Sequence, residues 1–206
     1  MNIVFDFGNV LVEWNPARLI REHYPNLVRV RHSPEALAEI LVNHQDWLDF
    51  DLGLIESAEL AARSARRVGL DADDLQHFVD RIPHVLTVFD ETVALMRELA
   101  SGAHGKHRVV YLSNMPVAFA DVLEARCPWI GHFEDGIFSG RVRLAKPDSA
   151  IYVAAEHKLR LDPAETLFLD DSQKNVDAAL ARGWASELIT DPQSTRDALV
   201  KHRVLR

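Results

Sequence analysis

The sequence predicts an α/β protein with a Rossmann-like, three-layer core, and three features support this prediction. Short, mainly apolar runs at residues 3–5, 108–112 and 166–169 have the length of strands that are buried on both faces. Helical patterns separate these runs, which favours right-handed crossovers and a parallel sheet covered by helices on both sides. Polar residues follow each run, at the sheet edge where such folds place their binding sites.

The first strand leads to the residue on which the functional interpretation depends. Ile3, Val4 and Phe5 favour a buried strand, and Asp6 stands where that strand ends. Gly8 permits a sharp turn, so that backbone groups there can approach a ligand closely. Asp6 alone is explained equally well as a carboxylate that caps a turn, and only its combination with later residues indicates a site.

The segment after this strand, up to about residue 86, predicts helices and no strand. Capping signals predict four short helices: the first two begin at Pro16 and Pro34, Ser57 caps the third, and Asp71 opens the fourth. The fourth is expected to end ahead of Pro83. Such helices form a small bundle. The segment 44–53, between the second and third helices, is predicted to be a surface turn or a wall of a substrate pocket.

After residue 88 the pattern alternates between strands and helices. Helices are predicted at 90–100, 116–127, 149–159 and 175–182, a short strand with a glycine turn at 136–144, and a last strand at 185–190. We therefore expect a core formed by residues 1–15 and 88–206, with an inserted helical cap formed by residues 16–87. The hinges of this cap are expected near residues 13–16 and 87–90.

The composition excludes several classes of protein. Of the 206 residues, 48% are hydrophobic and 26% are charged, as in ordinary globular proteins. The net charge of -8 argues against a nucleic-acid partner. Cys127 is the single cysteine, which excludes an internal disulfide and favours a reducing compartment. The N-terminal apolar run contains Asp6 and lacks a basic leader, so we expect a cytoplasmic protein without a membrane span.

Polar residues that lie far apart in sequence are expected to meet at one edge of the sheet. They include two or three acids, a hydroxyl, an amide and a lysine, namely Asp6, Ser113, Asn114, Lys146, Asp170 and Asp171. This set suits an anionic substrate held together with Mg²⁺, because Mg²⁺ prefers carboxylate oxygens and bridges to phosphate. Asp6 can then act as a nucleophile toward phosphorus, while Lys146 balances charge on the transferred group.

Four segments in this order resemble the motifs of the haloacid dehalogenase superfamily: Asp6-Phe-Gly-Asn-Val, Leu112-Ser-Asn, Lys146-Pro-Asp and Phe168-Leu-Asp-Asp. The predicted helical insertion resembles the small cap of that superfamily. Within the superfamily, the combination of motifs is similar to that of small bacterial sugar-phosphate phosphatases, including those that act on glucose 1-phosphate. The resemblance implies an Mg²⁺-dependent phosphatase of a small phosphorylated metabolite, as a monomer or homodimer.

The resemblance also implies roles for individual residues. Asp6 matches the nucleophile that becomes an aspartyl phosphate and also binds Mg²⁺. The Gly8 carbonyl and Asp171 match further metal ligands, and Asp170 matches a second acidic position beside the metal. Ser113 and Asn114 match the phosphate-binding motif. Lys146 matches the lysine that steadies the nucleophile and the phosphoryl group, and Asn175 occupies a position that is often acidic in relatives.

One departure from the family pattern is at Gly8. Most phosphatases of the superfamily carry an aspartate there, which protonates the leaving oxygen and then activates water. Glycine cannot transfer a proton, so this contribution, on the order of 10²–10⁴ in rate, has to come from elsewhere or be absent. A substrate with an acidic leaving group, such as a sugar anomeric phosphate, would need it least.

The same gap keeps two alternatives open. A 2-haloacid dehalogenase also lacks that aspartate and directs its nucleophile at carbon without a metal, although Asp170 beside Asp171 favours a metal site. A catalytically weak protein that only binds phosphate is the second alternative, and the presence of Asp6, Lys146 and Asp171 argues against it.

Overall fold

The computed structural model describes residues 1–24 and 33–205 and confirms the α/β prediction. Its five strands form one sheet in the order β3-β2-β1-β4-β5, and every neighbouring pair is parallel. The strands are Asn2–Phe5 (β1), Arg108–Ser113 (β2), Asp135–Phe138 (β3), Thr166–Asp170 (β4) and Ala185–Leu188 (β5). The last strand is two residues shorter than predicted. Because β1 lies between β2 and β4, the chain order reverses beside β1, where open α/β sheets form their crevice.

Successive strand residues alternate between two buried apolar clusters, one on each face of the sheet. Ile3 and Phe5 belong to one cluster, and Val4 belongs to the other. The same alternation separates Leu167 from Phe168 in β4. Both faces of the sheet are therefore covered, which explains why each strand is a continuous apolar run in the sequence.

Between β1 and the next core helix, the described residues form five helices rather than the four predicted. They are Pro16–His23 (α1), Pro34–Val42 (α2), Gln45–Asp51 (α3), Ser57–Val68 (α4) and Ala72–Val85 (α5). Residues 25–32, inside the predicted cap, lie outside the described residues. The apolar cluster on one sheet face continues into α1–α5, so these helices share buried surface with the sheet.

The additional helix, α3, excludes the first of the two alternatives for residues 44–53, a surface turn. His44 Nδ1 accepts a hydrogen bond from the backbone N–H of Asp46 and so caps the helix. Trp47 and Phe50, three positions apart, are both buried and lie on one face. Seven residues are too few to show a helical repeat clearly in the sequence.

The ends of two further helices differ from the prediction. Glu56, not Ser57, occupies the capping position of α4, and it makes no side-chain cap. Helix α5 continues through the buried Pro83 to Val85. Arg126 donates a hydrogen bond to the carbonyl of Pro83 at 2.7 Å, so tertiary packing supports this end of the helix.

Six further α-helices lie among the described residues; four of them were predicted, whereas the short third one and the last one were not. They are Asp90–Ala100 (α6), Val117–Arg126 (α7), Ser139–Val142 (α8), Ser149–Leu159 (α9), Gln173–Ala181 (α10) and Pro192–Lys201 (α11). The glycine turn that was expected after β3 is instead the single helical turn α8. Helix α10 begins two residues earlier than predicted, which places Asn175 in its first turn.

The two chain segments that lead into and out of α1–α5 pair with each other. Val12 and Val88 form an isolated antiparallel bridge. The backbone N–H of Glu13 donates to the Thr87 carbonyl at 2.8 Å, and that of Phe89 donates to the Leu11 carbonyl at 2.9 Å. These segments coincide with the predicted hinges. Division into core and cap, and any motion between them, stay predictions. No helix among the described residues is long and apolar enough to cross a bilayer.

Candidate active site

Three acidic residues meet where β1 and β4 end. Asp6 follows β1, Asp170 closes β4, and Asp171 comes next in the chain. One carboxylate oxygen from each of them lies within 4.8 Å of the others. Parallel pairing of β1 with β4 causes this meeting, because it aligns the two strand ends at one edge of the sheet.

Lys146 joins two of these carboxylates. Its Nζ lies 2.8 Å from Asp6 Oδ1 and 2.6 Å from Asp170 Oδ2, and all three residues are buried. Burial lowers the pKa of Lys146, but the charges of Asp170 and Asp6 more than offset this and raise it above the ordinary value. Lys146 is therefore a charged ammonium that is fixed between two acids.

Both carboxylate oxygens of Asp170 have partners within the protein. Oδ2 accepts from Lys146, while Oδ1 accepts from the backbone N–H of Ser172 at 2.8 Å and from Asn175 Nδ2 at 2.9 Å. Asp170 is also fully buried. These contacts suit a residue that positions Lys146 better than one that ligates a metal directly.

Asp6 is less completely satisfied. Its Oδ1 is buried and, among the described residues, receives no hydrogen bond of good geometry, although it is ion-paired with Lys146. Burial raises the pKa of Asp6 to about 7, with the charges of Asp170 and Asp171 adding to this effect and that of Lys146 opposing it. A cation bound beside Asp6 would favour its ionised form.

Asp171 is held by Asn9, a residue of the first motif. Asn9 Nδ2 donates to Asp171 Oδ2 at 2.8 Å, while Asn9 Oδ1 accepts from the backbone N–H of Trp14 at 2.9 Å. Asn9 adopts a left-handed backbone conformation, with φ of 52°, which asparagine tolerates better than most residues. Burial raises the pKa of Asp171, and the hydrogen bond from Asn9 opposes that rise.

The predicted phosphate-binding pair has two different environments. Ser113 is buried at the end of β2 and lines a cavity. The side chain of Asn114 donates to the Lys146 carbonyl at 2.9 Å and accepts from the Lys146 backbone N–H at 2.8 Å. Asn114 therefore fixes the backbone that carries Lys146, in addition to lining the cavity.

A cavity of about 190 Å³ opens above these residues. We call its polar part the floor, formed by Asp6, Gly8, Ser113, Asn114, Lys146, Asp171 and Asn175. We call the remainder the wall, formed by Val12, Trp14, Trp47, Asp51, Leu86, Met115, Pro116 and Phe119. The predicted catalytic and binding residues thus come together in the floor, except that Asp170 lies buried behind it.

Sequence reasoning missed Asn9 as a residue of the site, and it left residues 44–53 open between a surface turn and a wall of the pocket. The Gly8-Asn9 pair signals a turn, but it does not reveal that the Asn9 side chain reaches Asp171. Asp51 and Trp47 lie on α3, which was not predicted, so no helical face could be assigned to them. Phe50, on the same helix, is buried beside Trp47, with ring centroids 6.1 Å apart, and does not line the cavity.

The residues fit a small divalent cation. Asp6 and Asp171 border the cavity with hard oxygen ligands, and one carboxylate oxygen from each of them lies within 4.8 Å of the other. Mg²⁺ commonly takes one or two carboxylates and keeps waters for its remaining positions. The donor set contains no thiolate or imidazole that would favour a softer metal.

The comparison with protein families agrees with this geometry. The family model for haloacid dehalogenase-like hydrolases matches residues 1–183. The chain belongs to this family. Among curated relatives of this hydrolase is the sesquiterpene phosphatase astK of Aspergillus oryzae, which is 29% identical over 195 residues, covering 93% of this chain and 91% of astK.

Solved structures share the fold of this haloacid dehalogenase-like hydrolase. The enzyme bt-2542 of Bacteroides thetaiotaomicron, in complex with magnesium and inorganic phosphate, gives a TM-score of 0.71 at 22% identity, covering 91% of this chain and 93% of that one. The L-2-haloacid dehalogenase of Xanthobacter autotrophicus gives a TM-score of 0.64 at 22% identity, covering 90% and 75% of the two chains. At these identities, the similarity concerns the fold alone.

Proposed function

We propose that this hydrolase is an Mg²⁺-dependent phosphatase that acts on a small phosphorylated metabolite through an aspartyl-phosphate intermediate. The observation that carries the proposal is the group of the buried Asp6, Lys146 and Asp170 and the partly buried Asp171 at the cavity. A nucleophilic carboxylate next to a fixed ammonium and further acids suits transfer of an anionic phosphoryl group with a cation. The family membership and the phosphatase relative astK support this reaction class.

Most residues of the floor then have a role. Asp6 attacks phosphorus, and the P–O bond to the leaving oxygen breaks. Lys146 balances charge on the phosphoryl oxygens, and Ser113 donates a hydrogen bond to one of them. Mg²⁺ would be held by Asp6, the Gly8 carbonyl and Asp171, and would supply charge neutralisation for the phosphate. Asp170 would contribute by orienting Lys146 rather than by direct ligation.

Two substrate classes follow from different observations. The motif combination is similar to that of sugar-phosphate phosphatases, which supports a sugar phosphate, the 1-phosphate included. The wall instead is apolar except for Asp51, and it offers few partners to sugar hydroxyls. Together with the relative astK, a sesquiterpene phosphatase, this supports the phosphate ester of an apolar alcohol. We favour the apolar alcohol because buried hydroxyls without partners cost binding free energy.

A phosphate-release screen with Mg²⁺ tests the function. Glucose 1-phosphate, glucose 6-phosphate, farnesyl phosphate and p-nitrophenyl phosphate are compared, with EDTA and Asp6→Asn as controls. We expect release that needs both Mg²⁺ and Asp6. Chloride release from chloroacetate in EDTA would indicate a dehalogenase instead, and binding of phosphate without turnover would indicate the binding protein. A cytoplasmic location and a monomeric or homodimeric state stay predictions.

A further inference from the structure

The missing acid at Gly8 leaves the cavity with few groups that can transfer a proton. Among the described residues that line it, the carboxyl groups are those of Asp6, Asp51 and Asp171. Asp6 is needed as the nucleophile and Asp171 for the cation. Asp51, in the wall, is the carboxyl group without a role so far.

The backbone at Asp51 is tied to the floor through Ser139. Ser139 Oγ donates to the Asp51 carbonyl at 2.6 Å and accepts from the backbone N–H of Met115 at 2.8 Å. Met115 directly follows Ser113 and Asn114. The last turn of α3 is therefore bonded to the loop that carries the proposed phosphate-binding residues.

A close glycine contact holds the same end of α3 in place. Gly53 has a φ of +64°, and a Cβ atom at this position would lie only 2.5 Å from the Gly140 carbonyl oxygen. Gly140 in turn leaves no space for a side chain against the backbone of Val117. Backbone packing thus places Asp51 at the cavity, independently of any side-chain contact that it makes.

The Asp51 carboxyl group has no hydrogen bond or ion pair with any residue in the described parts of the chain. Its cavity neighbours include Trp47, Pro116 and Phe119, which are apolar. Burial raises the pKa of Asp51 to about 8, and the positive charge of Lys146 opposes part of this rise. The raised pKa favours the protonated form that a proton donor needs.

We propose that Asp51 is the general acid and base of this enzyme and supplies from α3 the proton transfer that Gly8 cannot perform. This inference rests on the phosphatase function proposed above. The carboxyl group reaches the site from the helical insertion, not from the loop after β1. The leaving oxygen would therefore face the wall while the phosphoryl group contacts the floor.

The proton transfers balance over the two half-reactions. When Asp6 Oδ bonds to phosphorus, the P–O bond to the leaving group breaks, its electron pair stays on the leaving oxygen, and Asp51 gives that oxygen its proton. The alcohol departs and Asp51 is left ionised. Water then attacks the aspartyl phosphate while Asp51 accepts one of its protons. The P–O bond to Asp6 breaks, and inorganic phosphate and the original protonation state of Asp51 result.

The test compares how much the Asp51→Asn substitution lowers kcat/KM for substrates with different leaving groups. The leaving group of p-nitrophenyl phosphate needs little protonation, whereas that of an alkyl phosphate, such as butyl phosphate, needs it strongly. We expect kcat/KM for butyl phosphate to fall about 10²-fold or more, and kcat/KM for p-nitrophenyl phosphate to fall less than about fivefold. kcat/KM is the suitable quantity because it covers the steps up to departure of the alcohol.

Asp49→Asn, on the same helix but outside the cavity lining, is the matched control and should leave both values unchanged. Asp51→Ala is measured as well, so that the result does not depend on one replacement, and thermal melting verifies that each variant folds. Equal losses for the two substrates, or no loss, would overturn the proposal for Asp51. Absence of Mg²⁺-dependent release by the wild-type chain would overturn the phosphatase function itself, so the two failures are distinguishable.

Discussion

The floor and the wall of the cavity differ in how their side chains are held. In the floor, Lys146, Asn114 and Asp171 each hydrogen-bond or ion-pair with another residue of the site. In the wall, seven of the eight side chains are apolar, and the exception, Asp51, has no polar partner among residues 1–24 and 33–205. The floor therefore suits binding of a charged group, and the wall suits exclusion of water. We expect floor variants to affect all substrates alike and wall variants to discriminate between leaving groups.

The largest effect is expected for Lys146→Met. It would leave Asp6 and Asp170 buried together without their shared cation, which costs about 3–5 kcal/mol of unfolding free energy. Loss of the ammonium should lower kcat/KM about 10³-fold for every phosphate ester. Steady-state kinetics and chemical denaturation measure the two effects. Lys158→Met, at a half-exposed lysine, is the control; a loss confined to one leaving group would contradict the floor's general role.

A smaller floor effect is expected for Asn9→Gly, which removes the side chain that holds Asp171 but tolerates the positive φ. Loss of such a supporting contact typically weakens metal affinity 10–100-fold. The Mg²⁺ concentration that gives half-maximal activity should rise accordingly, while the rate at saturating Mg²⁺ changes less. An unchanged Mg²⁺ dependence would argue against Asp171 as a ligand.

The wall is tested by Trp47→Leu. We expect kcat/KM for an apolar ester such as farnesyl phosphate to fall about tenfold, because Trp47 is a large apolar surface of the cavity. The value for methyl phosphate should hardly change. Phe50→Leu is the matched control, since Phe50 packs against Trp47 and lies outside the cavity lining. Similar losses for both substrates would remove the distinction between wall and floor.

The last prediction concerns stability rather than rate, and the way in which Asp51 makes it depend on pH. Its pKa in the folded chain, about 8, lies above the ordinary value of 3.8, so between these pH values the folded chain binds more protons than the unfolded chain. The contribution of Asp51 to the free energy of unfolding therefore falls as the pH rises from about 4 to about 8. Asp51→Asn should therefore be more stable than wild type at pH 8 and gain almost no stability at pH 4.

Thermal melting at the two pH values measures this difference, with Asp49→Asn as the control. A gain that is the same at pH 4 and pH 8 would show that the carboxyl group of Asp51 is not the cause.

The sheet and most residues of the floor can be inferred from residue types and their order in the chain. Ile3, Val4 and Phe5 had to form a doubly buried strand because they are apolar at consecutive positions, and the same holds for residues 167–169. Once these strands are parallel, Asp6 and Asp171 must lie at one edge. Local chemistry and chain order were sufficient for this inference.

The residues of the wall and the hydrogen-bond partners within the floor could not be inferred in this way, because they depend on long-range contacts in the folded chain. Besides its local cap at His44, helix α3 is stabilised by burial of Trp47 and Phe50 and by the hydrogen bond from Ser139, which is 88 residues away from Asp51. Likewise, the bonds from Asn114 to the Lys146 backbone and from Asn9 to Asp171 join residues that are distant in sequence. Such contacts depend on the direction of each side chain in the folded chain, and no spacing of residue types specifies that direction.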